Sequence, residues 1–198
     1  MEEDIVINYT YYHWGPFLYH TTIDRKKLNK IKDLCTKKSK DVRKNLAGFL
    51  KHEHEVERTD LFPLIAPFLN SYAKAYVDYS GKTLPNKIEL VSSWVNYMTK
   101  FESNPLHIHD EDLSFIIFTK VPKELREEYN KCLSTAKPGA INFIMNLDSN
   151  KYMLNQRSFF PEEGDLFIFP AGLHHFVNHF KNDMERISIS GNIKLHNG

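Results

Sequence analysis

The chain has 198 residues, enough for one domain that buries a core. Its 26 Lys and Arg residues almost balance its 25 Asp and Glu residues, and the formal charge of +1 argues against nucleic acid as the main partner. The N-terminal residues lack the pattern of a secretory signal, and no apolar run approaches the length of a membrane span. We therefore expect a cytoplasmic protein with no membrane partner. Cys35 and Cys132 lie far apart, which predicts reduced thiols and no disulfide.

The first part of the chain, roughly residues 1–85, is predicted to be helical. Asp24 is typical of helix N-caps and precedes an amphipathic segment whose lysines indicate a solvated face. Apolar residues recur in this segment at helical spacing, at Leu28, Ile31, Leu34 and Cys35. A second helix is predicted over residues 59–79, where a broad apolar stripe indicates packing against the core.

The remainder, roughly residues 86–198, is predicted to be rich in strands. Short segments of β-branched and aromatic residues alternate there with turn formers, and a turn with a short helix is predicted at 122–131. The predicted strands are 87–100, 106–109, 113–121, 140–146, 165–170, 174–180 and 186–195. Helices followed by strands, without a linker or a repeat, predict one α+β domain over residues 1–198. We expect a double-sheet jelly roll with the helices packed on one outer face.

Two histidines begin the part of the sequence that carries chemistry. His107 and His109 are separated by one residue, so in an extended strand both imidazoles point to the same face and can bind one metal ion. Glu111 shares that face if the strand continues. Two ligand sets therefore remain open: the two histidines together, or His109 and Glu111 as the His-x-carboxylate pair of a facial triad with His107 nearby.

Two later segments add a third imidazole and an arginine. His175 follows a Pro-Ala-Gly corner at the end of a predicted strand, and we prefer it to His174 as a ligand. Arg186 and Ser188 share one face of the last predicted strand. An arginine on an inward face requires an anion, so the combination indicates a metal site with an acidic co-substrate.

Several short motifs follow one another along the chain: Trp94-x-Asn96, Asn104-x-x-His107-x-His109, Ser114, Phe169-Pro170 with His175-x-Val177, and Arg186-Ile-Ser188-Ile-Ser190-x-Asn192. Together they resemble the 2-oxoglutarate/Fe(II)-dependent oxygenases common in phage and marine bacterial genomes. The resemblance covers most of the chain, since Gly-Pro-Phe-Leu at 15–18 and Asn-Leu-Ala-Gly at 45–48 are similar to the family's helical front end. It implies a double-stranded β-helix with the metal at one open end, located in the host cytoplasm if a phage encodes it.

The resemblance also implies roles for individual residues. The implied Fe(II) ligands are His107, His109 and His175, with Glu111 as the alternative ligand. The implied contacts to the co-substrate 2-oxoglutarate are Arg186 and Ser188, which hold its distal carboxylate, with Asn96 and Asn192 as further candidates. Many oxygenases of the wider superfamily carry an aspartate two residues after the first histidine, where this chain has His109.

The implied activity is that of a dioxygenase that consumes O2, decarboxylates 2-oxoglutarate to succinate and hydroxylates a substrate that the sequence does not identify. No catalytic side chain beyond the metal centre is implied. Two other classes stay open: a non-catalytic cupin-like metal or ligand-binding module, and a structural jelly-roll relic. Arg186 favours the oxygenase, because a simple cupin needs no buried guanidinium after its last ligand. A homodimer formed through the helices is also left open.

Overall fold

A computed structural model describes residues 15–85, 87–145 and 155–196. The helices in these ranges are α1 (Arg25–Lys32), α2 (Arg58–Ser80) and α3 (Lys123–Lys131). The strands are β1 (Tyr19–Thr22), β2 (His52–Glu55), β3 (Lys87–Met98), β4 (Asn104–His107), β5 (Leu113–Lys120), β6 (Ile141–Ile144), β7 (Gln156–Phe159), β8 (Asp165–Pro170), β9 (His174–Val177) and β10 (Arg186–His196). Within these ranges, no helix combines the length and apolar character needed to cross a bilayer.

The predicted helices are confirmed, and their ends have local causes. Helix α1 begins after Asp24, whose Oδ1 accepts a hydrogen bond from the Lys27 amide at 2.9 Å and caps the first turn. It ends at Lys32, before two of the apolar residues that the spacing assigned to it. Helix α2 ends at Gly81, which adopts the left-handed conformation (φ 67°) that glycine takes without steric cost.

The strands form two antiparallel sheets that face each other. The larger has six strands in the order β1-β8-β5-β10-β3-β2, and the smaller has four in the order β4-β9-β6-β7. Apolar side chains of α1 and α2 cover one face of the larger sheet, in a cluster that includes Leu28, Ile31, Leu61, Ile65, Ile117 and Ile189. A second cluster fills the space between the sheets and includes Phe118, Phe167, Ile141, Phe143 and Val177. The α+β jelly roll, a double-stranded β-helix with helices on one outer face, is therefore confirmed.

Three of the observed strands, β1, β2 and β7, were not predicted from the sequence. All three are edge strands with polar, partly exposed sequences, so they lack the apolar run that identifies a buried strand. Because β1 and β2 extend the larger sheet, the front part of the chain is not purely helical. The predicted strand at 140–146 is observed as Ile141–Ile144, and its last residue lies outside the described ranges.

The direction of the side chains on β10 determines where its polar residues lie. Ser188 pairs with Asn96 of β3 and with Phe118 of β5. Directly paired residues of antiparallel strands share a face, and Phe118 belongs to the cluster between the sheets. The alternation along β10 therefore places Arg186, Ser188 and Ser190 on the inner face.

Candidate metal centre

Strands β4 and β9 bring two of the predicted ligands together. His107 pairs directly with His175 across these antiparallel strands, so their side chains lie on the same face of the smaller sheet. His109 lies two residues past the end of β4, where its amide donates a hydrogen bond to the Ala171 carbonyl at 3.0 Å. The strand predicted at 106–109 is thus observed earlier, at Asn104–His107, and the loop that follows it carries the second histidine.

The three imidazoles form a compact group. One nitrogen from each of His107, His109 and His175 lies within 4.8 Å of the other two. The ring centroid of His107 is 4.2 Å from that of His175 and 5.0 Å from that of His109, and the His109 and His175 centroids are 5.2 Å apart. Such a group suits a transition metal ion, because imidazole nitrogen is the commonest protein ligand for these ions.

Backbone carbonyls fix the proton on two of these rings. The Nδ1 atoms of His107 and His175 lie 2.7 Å from the Pro105 carbonyl and 2.9 Å from the Leu173 carbonyl. A carbonyl oxygen can only accept, so each bond requires a protonated Nδ1 that donates. The Nε2 lone pair of each ring is then free for a metal ion, which is the usual arrangement of a ligating histidine.

The surroundings keep the three histidines neutral. Burial, together with the other two imidazoles, lowers the pKa of His175 to about 3. Burial and the neighbouring His107 lower the pKa of His109 to about 4, and burial lowers the pKa of His107 as well. Neutral imidazole is the metal-binding form, so the group is ready to bind an ion at neutral pH.

A narrow cavity of about 40 Å³ lies against the three histidines. Its other walls include Glu53, Trp94, Asn96, Asn104 and Ser190. The Asn96 amide donates a hydrogen bond to the Ser190 hydroxyl at 3.2 Å. Because Asn96 lines this cavity together with the histidines, it lies where a residue that contacts the co-substrate was predicted. A wider cavity of about 480 Å³ adjoins the first, because His107, His109 and Trp94 line both.

Arg186 lies on the same inner face of β10 and is fully buried. Its Nη1 donates to the Gly139 carbonyl at 3.2 Å, and the Phe118 ring lies 5.2 Å from the guanidinium carbon. Within the part of the chain that the structure describes, Nε and Nη2 have no hydrogen-bond partner, and neither has the buried Ser188 hydroxyl. Burial lowers the pKa of Arg186 to about 10. These unpartnered donors fit a carboxylate, which accepts two parallel hydrogen bonds from a guanidinium.

Two predicted residues lie apart from the histidine group. The Glu111 carboxylate is 3.7 Å from the Lys194 amine and is not among the ligand atoms that cluster. Asn192 accepts a hydrogen bond from the Ser114 hydroxyl at 2.8 Å and, like Glu111, lines the wider cavity. The buried acid of the narrow cavity, Glu53, was not predicted, because His-Glu-His-Glu on an edge strand gives no sign of which glutamate is buried.

Solved structures of several oxygenases share this fold at low sequence identity. A Pseudomonas putida prolyl-4-hydroxylase aligns over 90% of this chain and 92% of its own, with 10% identity and a TM-score of 0.56. The viral collagen prolyl hydroxylase of Paramecium Bursaria Chlorella virus-1, a 2-oxoglutarate complex, covers 89% and 94% with 10% identity and a TM-score of 0.55. HygX from Streptomyces hygroscopicus, with nickel and 2-oxoglutarate bound, covers 91% and 81% with 10% identity and a TM-score of 0.52.

Comparison of sequences gives the family. No curated protein sequence matches the chain significantly. The family model described as "Putative 2OG-Fe(II) oxygenase" matches residues 92–192, just over half of the chain, and this segment contains the three histidines and the buried arginine. The chain therefore belongs to the 2OG-Fe(II) oxygenases, oxidoreductases whose cofactors are Fe(II) and 2-oxoglutarate and whose usual co-substrate is O2.

Proposed function

We propose that the protein is a 2-oxoglutarate- and Fe(II)-dependent hydroxylase. In this proposal His107, His109 and His175 hold the iron, and Arg186 with Ser188 holds the distal carboxylate of 2-oxoglutarate. The observation that carries the proposal is the buried guanidinium, whose Nε and Nη2 have no hydrogen-bond partner among residues 15–85, 87–145 and 155–196. A charged group without a partner is costly to bury, so a ligand with a carboxylate accounts for it best.

The chemistry divides between the cofactors and the chain. When bound, iron and 2-oxoglutarate supply an oxidation in which O2 gives one oxygen atom to a substrate C–H bond and one to succinate, with release of CO2. The side chains of the protein would bind and orient these two cofactors. The carbonyls of Pro105 and Leu173 hold the rings of His107 and His175 in one orientation. The aromatic residues between the sheets exclude water from the space beside Arg186.

Asn96 is the better supported of the two asparagine candidates. It lines the narrow cavity together with the histidines, so we propose that its amide contacts the co-substrate. Asn192 lines the wider cavity instead, where the bound substrate is the group it would meet. The wider cavity reaches two of the histidines, and its volume is in the usual range for small-molecule sites, roughly 300–1,000 Å³.

The narrow cavity sets a condition on this proposal. Its volume of about 40 Å³ has room for a few water molecules, at roughly 10–15 Å³ for each. Arg186 and Ser188 lie outside its lining. Binding of 2-oxoglutarate between the histidines and Arg186 therefore requires side chains between the sheets to move.

Anaerobic titration with Fe(II) and 2-oxoglutarate tests the proposal. The complex of the two has a weak visible charge-transfer band, which we expect for the wild-type protein. His175→Ala should abolish the band because it removes a metal ligand. Arg186→Ala should abolish it because it weakens the binding of 2-oxoglutarate. Under air, wild-type protein with iron should convert 2-oxoglutarate to succinate, and a candidate substrate should increase that rate.

Other results of this titration would favour the two other classes of protein, the binding module and the structural relic. Iron binding without a band, and without succinate formation, would favour a cupin-like binding module. Failure to bind iron would favour a structural relic. An unchanged band in Arg186→Ala would contradict the role assigned to the guanidinium.

A further inference from the structure

Glu53 is a buried acid that the proposed function does not yet use. It lies on edge strand β2, pairs with Asn96 of β3, and is only 1% exposed. Its Oε2 atom is buried and has no hydrogen-bond partner among the described residues. The side chain lines the same narrow cavity as the three histidines, although Glu53 lies outside the segment that the family model matches.

The backbone of the preceding loop holds this carboxylate in place. A Cβ atom at Gly48 would lie 2.6 Å from Glu53 Oε1 and 2.6 Å from Asn104 Oδ1, both closer than side-chain atoms tolerate. The loop can therefore pack directly on the carboxylate because residue 48 is glycine. Asn104 begins β4, the strand that leads to His107, so Gly48 lies close both to Glu53 and to the start of the strand that carries a histidine.

No cation in the described part of the chain neutralises Glu53. The Arg43 guanidinium lowers the pKa of Glu53, but Asp41 already binds that guanidinium, with its Oδ2 atom 2.9 Å from Nε and 2.6 Å from Nη2. The neighbouring acid Glu102 is satisfied, since it accepts hydrogen bonds from the amides of Lys51 and Thr99 at 3.0 and 2.7 Å. Glu53 differs from Glu102 because its buried Oε2 atom has neither a cation nor a hydrogen-bond donor among the described residues.

The group of three histidines lacks negative charge, whereas Glu53 lacks a positive partner within the described ranges. A facial triad of two histidines and one carboxylate brings one negative charge to a divalent ion. A histidine binds a metal ion through an uncharged imidazole, so the three histidines of this group bring no negative charge. Before 2-oxoglutarate binds, a divalent ion held here would therefore keep its full positive charge in a buried site, next to the cavity that Glu53 lines.

We propose that Glu53 supplies the missing negative charge of a three-histidine metal centre. It acts as a neighbouring carboxylate and not as a ligand, since its oxygens do not belong to the group of atoms within 4.8 Å of one another. The inference rests on the proposed function of the three histidines. It explains why a carboxylate with one oxygen unpartnered among the residues that the structure describes lines the same buried cavity as the three imidazoles.

Metal affinity tests this role without any need for activity. Co(II) binding to the metal-free protein is followed by calorimetry and by the visible absorption of the ion. Glu53→Gln keeps the shape and removes the charge, and we expect about a 10–100-fold loss of affinity, as for other groups that act on a metal through its surroundings. Glu89→Gln is the matched control, because Glu89 is an exposed acid of β3 outside both cavities. It should bind Co(II) as tightly as wild type.

A second background separates charge from structure. His109→Asp moves a negative charge into the ligand set. In that background, the change in the logarithm of Co(II) affinity caused by Glu53→Gln should be less than about a third of the change that it causes in wild type. An equal loss in both backgrounds would overturn the inference, because it would show a structural effect. Unchanged affinity in Glu53→Gln would also overturn it and would leave a cationic group on the substrate as the partner of Glu53.

The same titrations distinguish this inference from the proposed function. If wild type binds Co(II) and His175→Ala does not, while Glu53→Gln binds normally, the metal centre stands and the role of Glu53 fails. If wild type does not bind Co(II), both fail together. Circular dichroism of each variant serves to check that the fold is retained.

Discussion

His107 and His175 face each other across the paired strands β4 and β9, with ring centroids 4.2 Å apart and each Nδ1 turned to a backbone carbonyl. The pairing depends on backbone hydrogen bonds between strands that are far apart in sequence. The two Nε2 atoms are thus positioned by the fold before any ion binds, and this preorganisation underlies the predictions below.

Replacing a ligand histidine should abolish metal binding, whereas replacing its neighbour should not. His175→Ala removes a nitrogen of the group, and we expect Co(II) affinity to fall by at least about 100-fold, since even outer partners of a metal site contribute 10–100-fold. His174→Ala is the control, because adjacent residues of a strand point to opposite faces. Calorimetric titration of both variants measures the difference, and equal affinities would refute the assignment of His175.

The choice between these two histidines shows how far the sequence leads. The Pro-Ala-Gly corner and the strand that follows it were sufficient to favour His175 over His174, and the alternation on β10 predicted that Arg186 and Ser188 share a face. Such local patterns survive folding because backbone geometry alone sets the direction of each side chain.

Other parts of the site depend on tertiary contacts. Glu53 and Glu55 are indistinguishable in the sequence of β2, and both pair with β3, so the greater burial of Glu53 depends on other contacts, including that with Gly48. His109 was expected inside a strand, but β4 ends at His107, and the Ala171 carbonyl holds the histidine through its amide. The alternatives for Glu111 could not be separated because its ion pair with Lys194 joins residues distant in sequence.

Metal binding should stabilise the fold. An ion that binds only the native protein, present at about 100 times its dissociation constant, adds about 2.7 kcal/mol to the free energy of unfolding. For a chain of this size we expect Tm to rise by roughly 5–10 °C. Differential scanning fluorimetry with Co(II), followed by excess EDTA, measures the gain and its reversal. The same additions should leave the Tm of a His107→Ala, His175→Ala double variant unchanged, and a rise there would indicate binding elsewhere.

Replacing the buried arginine should separate stability from co-substrate binding. Arg186→Met fills a similar volume and removes two unpartnered donors, so the free energy of unfolding should equal or exceed that of wild type. Affinity for 2-oxoglutarate should fall by at least about 30-fold, because a paired guanidinium contributes roughly 2 kcal/mol or more to holding a carboxylate. Urea unfolding and calorimetry with the Mn(II)-loaded protein measure the two quantities.

Arg126→Met provides the comparison for that experiment. Arg126 lies on α3 at the surface, where it forms an ion pair with Glu162. Its replacement should change stability by less than about 1 kcal/mol and leave 2-oxoglutarate affinity unchanged. If Arg186→Met instead bound 2-oxoglutarate normally, the carboxylate would have to lie elsewhere in the protein.

The buried acid should make the metal-free protein less stable at high pH. Burial raises the pKa of Glu53 from 4.5 to about 7, with Arg43 lowering it and Asp41 and Glu102 raising it to smaller extents. The folded state therefore holds a proton that the unfolded chain releases, so this contribution to stability is complete below pH 4.5 and is lost as the pH rises through 7. Glu53→Gln removes the dependence, and the variant should exceed wild type by up to ~3 kcal/mol at pH 8, since one pKa unit corresponds to about 1.4 kcal/mol.

Urea unfolding in EDTA at pH 4.5 and pH 8 measures this difference. The histidines titrate in both proteins, so their contribution cancels when the variant is compared with wild type. Glu89→Gln is the control, and its effect should stay below about 1 kcal/mol at both pH values, because its carboxylate is exposed and a surface pair such as Glu89–His196 contributes little. A constant difference between Glu53→Gln and wild type over the whole range would mean that the carboxyl group already has a partner in the folded protein. Saturating Co(II) should reduce the difference at pH 8, because the ion gives the ionised carboxylate a positive neighbour.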